Sequence, residues 1–136
     1  MYDRILIPTD GSDASAAAVD HGRAMAEAFG ASVNILSVVN EGATRDQLRT
    51  DPEDQADNRV SALLERLERD GFEATGHTKH GLAHEAILQY IDDHDIDCVV
   101  MGTHGRTGVD RMLIGSVTEE VVREAPVPVM TVHPRE

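Results

Sequence analysis

A chain of 136 residues with one cysteine and no long apolar run reads as a single domain over 1–136, large enough to bury a core without disulfides, metal staples or a membrane span. Its 25 acidic and 12 basic side chains give a formal net charge of −13, a field that repels nucleic acid and anionic membrane. Only one base is a lysine, Lys79, an imbalance like that of proteins adapted to high salt, and without a signal-like start the sequence predicts a soluble cytoplasmic protein.

Residues 4–9, Arg-Ile-Leu-Ile-Pro-Thr, form an apolar run ending at a proline and a threonine, as expected of a parallel strand covered on both faces. Asp10-Gly11-Ser12-Asp13 supplies a turn with cap candidates, and residues 14–29 a helix with Ala16, Val19, Ala24 and Met25 as core candidates, stopped by Gly30. A second strand covers 32–39. Residues 40–57 are polar and acidic, a candidate lid or partner-facing loop or a solvated insertion. A helix starting near Pro52 or Glu53 presents Val60, Leu63, Leu64 and Leu67 before Gly71.

A weaker strand follows at 72–78, then a short helix carrying Ala83, Ile87, Leu88 and Ile91 and ended by Asp92-Asp93-His94-Asp95. Residues 96–101 give a fourth strand, in which Cys98 reads as a small buried hydrophobe. A glycine-rich loop, a helix at 116–125 and a last strand at 127–132 complete the chain. The alternation predicts an open α/β fold with a parallel sheet and helices on both faces, and the right-handed crossover rule puts the loops after strands one, two and four on one carboxyl edge. Pro126 and Pro128 flank Val127, which favours an edge position for the last strand. Yet Val127, Val129, Met130 and Val132 make it apolar on both faces, and pairing with a second copy across a two-fold axis, a homodimer, would cover that edge.

The loop Gly102-Thr103-His104-Gly105-Arg106 through Gly115-Ser116-Val117 carries most of the functional information. Gly102 and Gly105 let backbone approach an oxyanion closely, and the following helix offers unpaired N–H donors and the positive end of its dipole. Ser116-Val117-Thr118-Glu119 matches a capping box. Arg106 could add a charge or stay solvated, and His104 could donate to phosphate or face solvent. There is no Gly-x4-Gly-Lys-Ser/Thr, and the first strand is not followed by Gly-x-Gly-x-x-Gly, which excludes the Walker-type and dinucleotide motifs. Asp10 is placed either to meet ribose hydroxyls or a cation, or simply to cap the turn.

At this point the chain closely resembles the universal stress protein family, over essentially its whole length. The resemblance is carried by Ile5-Leu6-Ile7-Pro8-Thr9-Asp10-Gly11-Ser12, Leu36-Ser37-Val38-Val39, Cys98-Val99-Val100-Met101-Gly102 and Val127-Pro128-Val129. The family's nucleotide motif, Gly-x2-Gly-x9-Gly followed by Ser or Thr, fits Gly102, Gly105, Gly115 and Ser116 without a gap. The resemblance implies a five-stranded sheet of order 3-2-1-4-5, dimers through the last strand, and membership of the ATP-binding class. It further implies that Asp10 faces the ribose or adenine end with Pro8 and Thr9 beside it, and that Val39 contacts adenine. Met101, Gly102, Gly105, Gly115, Ser116 and Val117 then surround the ribose and phosphates, with His104 and Arg106 nearby.

No nucleophile-base pair stands out, so any ATP hydrolysis is expected to be slow and to rely on backbone N–H groups, Ser116 and a Mg²⁺ or Mn²⁺ ion bridging phosphates and Asp10. His77, His80 and His84 with Glu85 do not make a metal set: only His80 and His84 are four apart, and Gly81 lies between them. Three readings remain open: an ATP-dependent stress or signalling switch with an unidentified protein partner, a slow ATPase, and a dimeric interaction protein that uses no nucleotide.

Overall fold

The computed structural model describes residues 2–39, 52–103 and 115–134. Its elements are β1 (Arg4–Pro8), α1 (Asp13–Phe29), β2 (Ser32–Val39), α2 (Pro52–Arg69), β3 (Ala74–His80), α3 (Ala83–Asp93), β4 (Cys98–Gly102), α4 (Ser116–Glu124) and β5 (Val129–Val132). The five strands form one sheet of order β3-β2-β1-β4-β5, and every pairing is parallel. The expected topology is therefore present, with β5 on the edge where its prolines belong.

The central strands are apolar on both faces because both faces are covered. Ile5, Ile7, Val33, Ile35, Cys98 and Val100 enter one core with residues of α1 and α2. Their neighbours in the strands, Leu6, Leu36, Val99 and Met101, enter a second core with Ile87, Tyr90 and Ile91 of α3 and Val121 of α4. This is the two-residue period of extended chain, read out on two sides. Burial, with the Asp97 carboxylate next, pushes the Cys98 thiol up, so it stays protonated and behaves as the hydrophobe expected.

The alanine-rich helix presents a different face from the one anticipated. Val19 is buried and Met25 packs against the core, but Ala16 and Ala24 are exposed. Beside Val19, the buried positions are Ala14, Ser15, Ala17, Ala18, Gly22 and Ala26. These small residues let α1 lie close to the sheet: a side chain at Gly22 would collide with Ile7. The helix ends as expected at Gly30, whose left-handed backbone (φ 68°) donates its N–H to the Ala26 carbonyl. Strand β3 starts two residues later than expected, at Ala74, because Phe72 is used in the turn that closes α2, with its N–H bonded to the Leu67 carbonyl.

A polar set lies inside the α3 side. The Tyr90 hydroxyl donates to Asn34 Oδ1 at 3.0 Å, and Thr75 Oγ1 donates to the same oxygen at 2.8 Å. His77 Nδ1 sits 3.1 Å from the Tyr90 oxygen. The His94 ring stacks on Tyr90 at 3.7 Å. Burial first, then His94 and Lys79, hold the His77 pKa below the ordinary histidine value, which keeps the ring neutral.

Candidate functional site

The chain passes from β1 to β2 on one side and from β3 back to β4 on the other, so the sheet order reverses at the β1–β4 boundary. Loops leaving adjacent strands in opposite directions open a crevice there, outside the carboxyl ends of the strands. Three groups of residues border it.

The first is the end of β1. The Thr9 N–H donates to the Leu36 carbonyl at 2.8 Å, and its hydroxyl donates to Ser15 Oγ at 3.2 Å. Asp10 is half-buried, and its Oδ1 accepts from the Ser12 N–H at 2.9 Å. Ser12 in turn caps α1, its Oγ accepting from the Ser15 N–H. Gly11 between them is at φ 82°, a left-handed turn that a side chain would strain. Asp10 thus does serve as a turn aspartate, and the turn fixes its carboxylate at the sheet edge.

The second group is the end of β2. Val39 is half-buried, and its carbonyl accepts from the Gly81 N–H at 3.0 Å. Here α2 contributes Arg59, which has no local sequence signal. Its Nη1 donates to the buried Ser37 hydroxyl at 3.2 Å. Its guanidinium also covers Gly11: a Cβ there would lie 2.8 Å from Arg59 Nε. A cation in a chain of net charge −13 is thereby held beside the β1 turn.

The third group is the end of β4 and the start of α4. Met101 is buried, and Gly102 is pressed against the first turn of α1, where an added Cβ would lie 2.6 Å from Ala14 Cβ and 2.7 Å from its carbonyl carbon. Two bonds fasten α4 to this strand end. The Gly115 N–H donates to the Thr103 carbonyl at 2.6 Å, and Thr118 Oγ1 donates to the Gly102 carbonyl at 2.8 Å. Thr103 and Thr118 are both buried. Neither was singled out in the sequence, although a threonine on each side of a glycine loop is the available clue.

The capping box does not form. Gly115, not Ser116, is the N-cap residue, no side chain caps the helix, and Glu119 bonds Arg123 at 2.9 Å. The reason is register: Ser116 is already the first helical residue, so its hydroxyl no longer faces the N–H groups it would cap. Helical bonding begins with the Glu119 N–H on the Gly115 carbonyl at 2.9 Å. The preceding N–H groups of Ser116, Val117 and Thr118 therefore lie before the first helical bond, at the positive end of the dipole. Ser116 is exposed and Val117 half-buried.

Pro8, Thr9, Asp10, Met101, Gly102, Gly115, Ser116 and Val117 thus gather at the ends of β1 and β4, with Val39 one strand away on β2. His104, Gly105 and Arg106, and residues 40–51 of the suggested lid, lie outside the described residues. Among the described residues no helix is long and apolar enough to cross a membrane.

A family model described as the universal stress protein family matches residues 1–133. The chain is similar to two proteins of Methanocaldococcus jannaschii. It is 32% identical to universal stress protein MJ0531, with 97% of this chain and 82% of that protein covered. It is 28% identical to universal stress protein MJ0577, with 97% and 95% covered. A solved structure of MJ0577 superposes with a TM-score of 0.88 at 30% identity, covering 100% of this chain and 99% of that one. The fold is also that of a universal stress protein from Archaeoglobus fulgidus solved in complex with dAMP, with a TM-score of 0.74, 21% identity and coverage of 96% and 98%.

Proposed function

The chain belongs to the universal stress protein family, and on that premise we propose that its β1–β4 crevice binds an adenine nucleotide, ATP first, as a stress-response or signalling switch. The observation that carries this reading is the α4 start: N–H groups not yet in helical bonds, backed by two buried threonine anchors, at the sheet's switch point. The dAMP complex of the Archaeoglobus fulgidus protein supports the choice of adenine, since the fold there holds an adenine nucleotide.

In this reading Pro8, Thr9 and Val39 border the base, and Asp10 accepts from ribose hydroxyls. Met101, Gly102, Gly115, Ser116 and Val117 border the ribose and phosphates, joined by His104, Gly105 and Arg106. The N–H groups at Ser116 and Val117 supply local anion attraction that the acidic surface withholds. Mg²⁺ or Mn²⁺ accompanying ATP would be held mainly by phosphate oxygens and water, with Asp10 as the one carboxylate of this set, an arrangement that suits such ions. Switching requires that ATP bind two conformations with different affinity, and the partner protein reads the difference.

Ser116→Asp is the test. An acidic residue in the first turn favours the helix itself, so α4 should stay folded, while the charge opposes phosphate. ATP affinity measured by calorimetry with Mg²⁺ at fixed ionic strength is expected to fall about 100-fold, roughly 3 kcal/mol, with melting temperature unchanged. Equal affinity in the variant would remove phosphate from α4. Absence of adenine nucleotide in extracts of the purified protein, together with no ATP binding by the wild type, would favour the interaction protein that uses no nucleotide.

The proposal includes a homodimer through β5. The strand is the sheet edge, and Met130 on it and Val122 on α4 are exposed apolar residues. Val129 packs against the α3–α4 core, so Met130 is the cleaner site for a charge. Met130→Glu is expected to sediment as a folded monomer where the wild type is a dimer. A dimer that persists in the variant would place the interface elsewhere.

A further inference from the structure

Away from the nucleotide crevice, His84 in the first turn of α3 and Glu120 and Glu124 of α4 bring one ligand atom each to within 4.8 Å of one another. We propose that these three side chains form a site for a zinc-like divalent cation that clamps α3 to α4.

The two glutamates are four residues apart on one helix, so they occupy the same face, where two like charges repel. Arg123 offsets this only in part: it reaches Glu120 at 3.4 Å while its shorter bond, 2.9 Å, goes to Glu119. The Glu124 carboxylate makes no hydrogen bond or ion pair with any other of the described residues. The imidazole of a second element completes the set, and His84 and Glu120 are half-buried while Glu124 is exposed. A cation between them would remove the repulsion and replace it with three bonds.

The donor types choose the metal. One imidazole nitrogen with two carboxylates suits zinc and similar borderline ions, whereas magnesium and calcium prefer oxygen alone. With bonds of about 2.0–2.2 Å, tetrahedral ligand atoms stand about 3.4 Å apart. Binding would draw the ligand atoms together from within 4.8 Å to that spacing, with the exposed Glu124 side chain the freest to turn. Three protein ligands leave a position for water, as in open zinc sites. The two histidines nearest in sequence are engaged differently: His80 Nε2 lies 2.8 Å from Glu53, and His77 meets Tyr90. Nothing in this site depends on the nucleotide reading.

The experiment uses the full chain, treated with a chelator and then titrated with Zn²⁺ alone. One equivalent should bind, and at a hundredfold excess over Kd the melting temperature should rise by roughly 8 °C. Without metal, Glu124→Gln should melt at or slightly above the wild type, since it relieves the repulsion with Glu120, and His84→Gln should melt like the wild type; each should lose at least about 100-fold in Zn²⁺ affinity. His80→Gln should bind as the wild type does. No one-equivalent binding below about 100 μM, or equal affinity in the Glu124 and His84 variants, overturns the site. A loss of binding in His80→Gln alone would overturn it as well, by locating the ion at Glu53.

Discussion

Valine at position 102 should cost the protein about 3 kcal/mol or more and abolish nucleotide binding in the fraction that still folds. A Cβ at Gly102 would lie 2.6 Å from Ala14 Cβ, 2.7 Å from the Ala14 carbonyl carbon and 3.0 Å from its oxygen. Two of these three atoms are backbone, so no rotamer change relieves the contact and the first turn of α1 must move off β4. Overpacking of this kind costs typically 1–3 kcal/mol, and a rigid neighbour sets the upper end. The displacement also propagates in both directions. It disturbs the turn that sets Asp10, and it shifts the Gly102 carbonyl that Thr118 holds at 2.8 Å. Urea denaturation should show a lower midpoint with an unchanged slope. A midpoint within experimental error of the wild type would mean that α1 and β4 are not in this contact.

Tyr90→Ala is expected to be at least as damaging, about 4 kcal/mol, and Tyr90→Phe to cost only about 1 kcal/mol. The ring is 2% exposed, among the largest fully buried side chains, and it fills the space between α3 and the sheet while stacking on His94. Its truncation removes an aromatic ring from a packed core. Phenylalanine keeps the ring and loses only the hydroxyl. Asn34 Oδ1 still receives Thr75 at 2.8 Å, so no buried acceptor is left without a donor, although His77 loses its partner. Thermal and urea unfolding of the two variants measure the difference. If phenylalanine costs as much as alanine, the hydrogen bonds dominate the site and the packing argument is wrong.

The strand order could be expected from the family resemblance, and the sheet itself from apolar runs such as Ile5-Leu6-Ile7 and Cys98-Val99-Val100-Met101, whose two-faced burial leaves no other interpretation of their composition. The face of α1 could not. The seven alanines of α1, from Ala14 to Ala28, lie all round the helix, so alanine by itself does not mark the buried face. Contact with the sheet, where only glycine fits beside Ile7, decides it. The cap at α4 failed for a related reason: Ser116 and Glu119 have the right spacing, but a one-residue difference in where the helix begins removes the geometry. Arg59 and the pair Thr103 and Thr118 escaped notice because their partners are distant in sequence. Arg59 meets Ser37 across 22 residues, and Thr118 meets Gly102 across 16. The His84 cluster is harder still, since its ligands lie on helices separated by a strand, and local inspection groups His84 with His80 instead.

The bond from Gly115 to Thr103, with Thr118 on Gly102 beside it, has a consequence for how such a chain can diversify. The ends of the intervening segment are joined where β4 meets α4. Changing the length of a segment whose ends are already joined costs little, about 0.6 kcal/mol for each doubling. Chain-closure entropy therefore sets only a weak limit on how many residues the connection between 103 and 115 holds. A lineage can change the length of that connection while the sheet, the cores and the anchoring threonines stay as they are.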